Sequence, residues 1–336
     1  MAETVTRPSE TFIVPGPSED IEADTDYADS TLGNYDPSTA TSIASSVLNY
    51  EYENGRRYNG FREGEYILPN DEKEQDRLDL SHHVFQMVLG GALFRSPLPS
   101  NPGSILDIGT GTGIWAIDIA DQFPSAAVTG CDLSPIQPAW VPPNCKFEVD
   151  DIEQLWQYSK RFDFIHGRAL AGSIKDWPRL LRQAYDNLEP GGWFELQDFE
   201  VWGYCDDGSI EKATAGLLWR EKVIEASQKF GKDMKVVHKY ADMMKEAGFV
   251  DVKDDIYKVP LSPWAKDKKL KEIARYQQLV MIESVEAYTL ALFTRVLGWS
   301  PEEVHVLMAS VKNEIKDLSI HTYGKMHIVY GQKPVS

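Results

Sequence analysis

The sequence predicts an α/β fold built on a parallel sheet. Three observations carry that prediction. Short apolar runs alternate with helical stretches from Ser104 onward. A glycine-rich loop follows the first of those runs. Apolar residues at helical spacing flank the alternating region on both sides.

Taken in order, residues 1–40 are rich in Ser, Thr, Pro, Asp and Glu, which predicts a disordered acidic tail. The alternative for part of that tail is an extended strap packed on the domain. Residues 41–100 predict a helical cap of two helices. The first would use Ile43, Val47, Leu48, Tyr50 and Tyr52, and the second Leu78, Val84, Phe85, Val88 and Leu89. Residues 101–336 make the main domain. Its strands are the runs SILDI, AAVTGCD, KFEV, FDFIH and WFELQ. TGIWAIDIADQF and DWPRLLRQAYDNL read as helices, the second ended by the Pro-Gly-Gly that follows Glu189. Helices then follow over 209–230 and in KYADMMKEAGF, and FVDVKDDIYKVPL reads as a strand. A helical insert over about 265–318 precedes a last strand in KMHIVYGQKP.

Composition narrows the function. The chain has 336 residues, 42% hydrophobic, and a formal charge of −18. That charge argues against phosphate-driven binding of nucleic acid and against anionic membranes. Three scattered cysteines, Cys131, Cys145 and Cys205, fit neither a disulfide framework nor a zinc site. They point to a reducing compartment, cytoplasmic or nuclear. The N-terminal residues lack the apolar core of a secretory signal, and no apolar run reaches membrane-spanning length.

The loop Asp107-Ile-Gly109-Thr110-Gly111-Thr-Gly113 follows a buried-type strand and opens an amphipathic helix. Glycines permit a tight turn and close approach of a ligand to the backbone. No GK[ST] ending is present, so this is not a phosphate loop. An acid ahead of the glycines would oppose a dinucleotide pyrophosphate. It suits the positively charged methionine portion of S-adenosylmethionine.

Other candidates lie at the ends of the following strands. Asp132, followed by Leu133, can accept both ribose hydroxyls, a device that nicotinamide enzymes share. Asp150 or Asp151 can accept from an adenine amino group, and the Ile152 N–H can donate to the ring. His166 is a candidate general base, and Arg168 a candidate clamp for a carboxylate. Each also has an ordinary structural reading as a hydrogen-bonded or ion-paired residue. Glu195 and Asp198 end the fifth strand, and one of them would line a substrate cavity. Neither GxSxG nor HExxH occurs.

The strings DIGTGTGIWAIDIA, CDLSPIQPAWVPPNCKFEVDDIE, FDFIHGRAL and LEPGGWFELQD, with YENGRRY and the closing VYGQKP, resemble the fungal LaeA-like methyltransferases. The resemblance spans roughly 45–332. It implies a Rossmann-like seven-stranded class I methyltransferase fold with S-adenosylmethionine as cofactor. It gives the methionine portion to Asp107, Gly109, Gly111 and Gly113, the ribose to Asp132, and the adenine to Asp151 and Ile152. Tyr58 falls in the N-terminal region that covers the cofactor in such folds. The implied activity is O-methylation of a small molecule in secondary metabolism. The alternative is a regulator with a velvet-type protein partner, as in the velvet-complex member of the family.

Overall fold

The computed structural model describes residues 12–16, 50–61, 64 and 66–335. Seven strands form one sheet in the order β5-β4-β3-β6-β7-β9-β8. They are β3 Ser104–Ile108, β4 Ala127–Asp132, β5 Cys145–Val149, β6 Phe162–Arg168, β7 Leu188–Tyr204, β8 Val250–Pro260 and β9 Tyr323–Gln332. The first five are parallel, and β9 inserts antiparallel between β7 and β8. The order reverses about β3, which places a ligand crevice outside the carboxyl ends of β3, β4 and β6.

Strand residues alternate between two apolar layers. Leu106, Ile108 and Ile165 pack under helices α3 (Trp177–Asn187) and α5 (Tyr240–Glu246). Ile105 and Phe164 face the other way, toward α1 (Glu72–Val88), α2 (Ile114–Gln122) and α6 (Lys268–Ala287). A sheet covered on both faces demands apolar residues at successive strand positions. Each fully buried large side chain contributes about 1.5–3 kcal/mol.

A third apolar cluster joins α4 (Thr214–Phe230), α7 (Pro301–Lys316) and the π-helical turn Leu292–Val296 to Tyr58, Ile67 and Leu68. The helical insert between β8 and β9 thus folds back over the N-terminal segment. Arg56 ties the same region together, with Nε on Asp71 at 2.6 Å and Nη1 on Glu286 at 3.2 Å. Asp71 also caps α1, accepting from Glu74 N.

Two N-terminal expectations are corrected. Ile43, Val47 and Leu48 of the first expected helix lie outside the described residues. Its second half is a hairpin, β1 Glu51–Glu53 paired with β2 Arg56–Tyr58. The cause is the two-residue Asn54-Gly55 loop, where both residues take positive φ (51° and 75°), a turn that matches strand twist. The tail is not free over 12–16. Pro15 bridges to Ala265, and Lys266 N donates to Val14 O at 2.7 Å. Ile13, 7% exposed, packs with Trp264 and Tyr323. The rest of the expected tail lies outside the described residues.

Candidate active site

A cleft of about 750 Å³, counted with its mouth, opens at the carboxyl ends of β3, β4, β5 and β6. Gly109, Gly111, Asp132, Leu133, Asp150, Asp151, Ile152 and Arg168, all singled out in the sequence, line it together. Tyr66, Leu78 and Lys232 join them.

The glycines do different work. At Gly113 φ is 82°, and an added Cβ would overlap the Phe147 ring, so this glycine serves close packing of α2 on the sheet. At Gly111 φ is 57°, and an added Cβ would meet only Leu78, at 3.5 Å, across the cleft. That backbone is open to a ligand.

Asp132 holds the loop. Its Oδ2 accepts from Gly111 N at 2.8 Å and its Oδ1 from Ser134 N at 2.9 Å. Burial pushes its pKa up to about 6. The backbone of Leu133 also hydrogen-bonds it, and a carboxylate with about four acceptor sites keeps one open toward a ribose hydroxyl. Asp151 is turned onto its own loop, accepting from Glu153 N at 2.9 Å and Gln154 Nε2 at 3.1 Å. Asp150 Oδ1 accepts from Asp151 N at 2.8 Å. Between β5 and β6 the backbone has one turn, at Ile152-Glu153, and otherwise bends and irregular chain.

Five candidates do not line the cleft: Asp107, Thr110, Gly113, His166 and Tyr58. Asp107 is buried beneath the loop, where Oδ1 meets His166 Nδ1 at 2.7 Å and Oδ2 accepts from Thr110 Oγ1 at 2.5 Å. His166 has no exposed surface; its ring stacks on Trp115 with centroids 3.6 Å apart. The position that suggested a general base in sequence therefore becomes a prop for the glycine loop. Tyr58 is buried in the third apolar cluster, beneath the Arg295 guanidinium, and burial pushes its hydroxyl up to about 12. Tyr66, eight residues later, reaches the cleft in its place.

Arg168 does reach the cleft. Its Nη2 lies 3.0 Å from His82 Nδ1, and its guanidinium sits over the Phe85 ring at 5.1 Å. His82 Nε2 in turn meets Asp118 at 2.9 Å. Burial lowers the Arg168 pKa to about 10, which leaves it charged at neutral pH.

A second cavity of about 970 Å³ lies between β7, α1, α4 and α6. Its walls are mainly apolar, with Phe85, Val201, Trp219, Val223 and Met281 among them. Ala169 lines both cavities and holds φ of 55°. A non-glycine residue in that region stores strain of about 1–3 kcal/mol and is held only by its surroundings. Asp198 lines this second cavity; Ala171 N and Tyr240 Oη donate to its Oδ2 at 2.8 and 3.1 Å, and burial pushes its pKa up to about 6. Glu195 is instead sealed in the interior, accepting from Arg95 N, Ser96 N and Ser96 Oγ.

A sheet of this order, with an acid-lined cleft over a glycine loop, defines a class I S-adenosylmethionine-dependent methyltransferase. The family model described as a methyltransferase domain matches residues 80–254. "Methyltransferase pytC" of Aspergillus terreus is 46% identical over 298 residues, covering 88% of this chain and 92% of that one. "Secondary metabolism regulator laeA" of Aspergillus fumigatus is 40% identical, over 84% of this chain and 77% of that one. "Protein-methionine methyltransferase laeA" of Emericella nidulans is 39% identical, over 85% and 77%. The chain belongs to this LaeA-like methyltransferase family. Among the described residues no helix is long and apolar enough to cross a membrane.

Proposed function

We propose that the protein methylates an oxygen of a small, largely apolar metabolite in fungal secondary metabolism. The observation that carries this reading is that Ala169 lines both the acid-lined cleft and the apolar cavity, which places the two side by side. In it, Gly109 and Gly111 cradle the methionine portion of the cofactor, and Arg168 receives its carboxylate. Asp132 takes the ribose, Leu133 packs on the adenosine, and Asp150, Asp151 and Ile152 surround the adenine. Asp107, Thr110 and Gly113 shape the loop from below.

S-adenosylmethionine supplies a methyl group on a cationic sulfur that departs neutral. The residues of this chain align the acceptor and exclude water, where most of the gain in such a displacement lies. His166 is sealed away from the acceptor cavity, so Asp198 is the carboxylate placed to take a hydroxyl proton.

A second reading is favoured by the relatives named as regulators. In it the protein works with a velvet-type partner and a protein is methylated. A deep apolar cavity supports the first reading, because a protein side chain would need an open approach. Deleting the gene and profiling metabolites separates them. Loss of a single methylated product is expected; silencing of many products would favour the regulator.

A further inference from the structure

Among the described residues, the acceptor cavity carries one cation with no ion-pair partner. Arg220 on α4 lines the cavity, and its guanidinium lies against Gly203 of β7, where an added Cβ would overlap Nη1. The other charged groups on the wall are already matched. Arg77 is bound bidentately by Glu74, at 2.9 and 2.6 Å. Glu200 meets His327 at 2.8 Å and accepts from Tyr204 Oη at 2.5 Å. Asp198 accepts from Ala171 N, Phe199 N and Tyr240 Oη.

Among the described residues, Arg220 makes one hydrogen bond, of 3.4 Å from Nε to Gly216 O, one turn back on its own helix. Among the described residues no carboxylate lies within 4.0 Å of it. Glu314, whose field reaches it, has both oxygens engaged by Ala215 N and Gly216 N at the start of α4. Arginine stays protonated in proteins, and a desolvated charge without a counter-charge is destabilising. A planar fork of donors at an apolar wall is matched by a two-oxygen anion.

We infer that the methylated molecule carries an organic carboxylate besides the hydroxyl that takes the methyl: an apolar body fills the cavity, Arg220 receives the carboxylate, and the hydroxyl gives its proton to Asp198 as its oxygen bonds the methyl and the sulfur leaves neutral. This rests on reading the cavity as the acceptor site. It adds a substrate class to that reading. Gly203 belongs to the device, because its missing side chain leaves room for the guanidinium.

The test measures calorimetric binding of decanoate and 1-naphthoate, and of the two matching amides, to the protein saturated with S-adenosylhomocysteine. The carboxylates are expected to bind about tenfold or more tighter than the amides, the gain of a charge-assisted pair. Arg220→Met should remove that preference and leave amide affinity in place, and Arg220→Lys should keep part of it. Gly203→Ala should reduce the preference with the charge retained. The melting temperature of Arg220→Met should equal or exceed that of the parent, since no ion pair is lost; a structural arginine would lower it. Equal binding of acids and amides by the parent protein, or full carboxylate affinity in Arg220→Met, would overturn the inference and leave the proposed function standing. If Arg220→Met does not fold, the parent ratio and Gly203→Ala decide. Binding of S-adenosylhomocysteine without binding of any of the four probes would overturn the reading of the cavity itself.

Discussion

His166 Nδ1 donates to the Asp107 carboxylate across 2.7 Å, while the imidazole lies nearly parallel to Trp115, 8° between planes. Asp107 reaches from there to Thr110, and Trp115 Nε1 donates to Leu93 O at 2.9 Å. The histidine thus sits at the centre of a buried network that fixes the loop from below. A group so placed cannot touch an acceptor, and its effect on activity passes through the cofactor.

His166→Phe keeps a ring against Trp115 and leaves Asp107 without that donor. It should cost about 1–3 kcal/mol of stability and weaken S-adenosylhomocysteine binding. His166→Gln, which retains an N–H donor, should recover part of both. Thermal unfolding and calorimetry read the two effects. A general base would leave cofactor affinity and melting temperature unchanged on substitution.

The two glycines of the loop should fail differently. Gly113→Ala forces a positive-φ residue into the Phe147 ring and should lower the melting temperature, by a loss of about 2 kcal/mol or more. Gly111→Ala meets no such overlap, so it should fold with a loss of about 1 kcal/mol and lose cofactor affinity. Circular dichroism melts beside calorimetric titrations separate these outcomes. Equal thermal losses for both variants would contradict the assignment.

The contrast between Tyr58 and Tyr66 shows where the sequence was legible and where it was not. The strands, the glycine loop and Asp132 were readable because they depend on local spacing and on a fixed place at strand ends. Tyr58 belongs to a segment whose position depends on tertiary packing against Phe293 and Leu307, far along the chain. Asn54-Gly55 did announce the hairpin, and the aromatic spacing around it suggested a helix instead. The bond from His166 to Asp107 joins residues 59 apart, and no spacing in one sequence reveals it. Arg220 carried no signal at all, because a cation without an ion-pair partner appears only when its neighbours are known.

His327 supplies a test of the electrostatics beside the acceptor cavity. Burial alone would lower its pKa; hydrogen bonds to Asp254 and Glu200 outweigh that and hold it up at about 9. The folded state therefore binds this proton more tightly than the unfolded chain. The stability it contributes is fully present below about pH 6.5 and is lost as pH rises through about 9, at most about 3 kcal/mol. The melting-temperature gap between the parent and His327→Gln should be widest near pH 6 and close by about pH 10. A gap independent of pH would show that the imidazole is not charged in the folded protein.

The central claim is that the cleft formed by Gly111, Asp132 and Asp151 holds S-adenosylmethionine. Its most direct test is calorimetric titration of the cofactor, with NADH as control, into the parent protein and into Asp132→Ala. The account predicts binding of S-adenosylmethionine and none of NADH, and a loss of about tenfold or more in affinity in a variant that still unfolds cooperatively. Unchanged affinity in Asp132→Ala, or binding of NADH in place of S-adenosylmethionine, would contradict it.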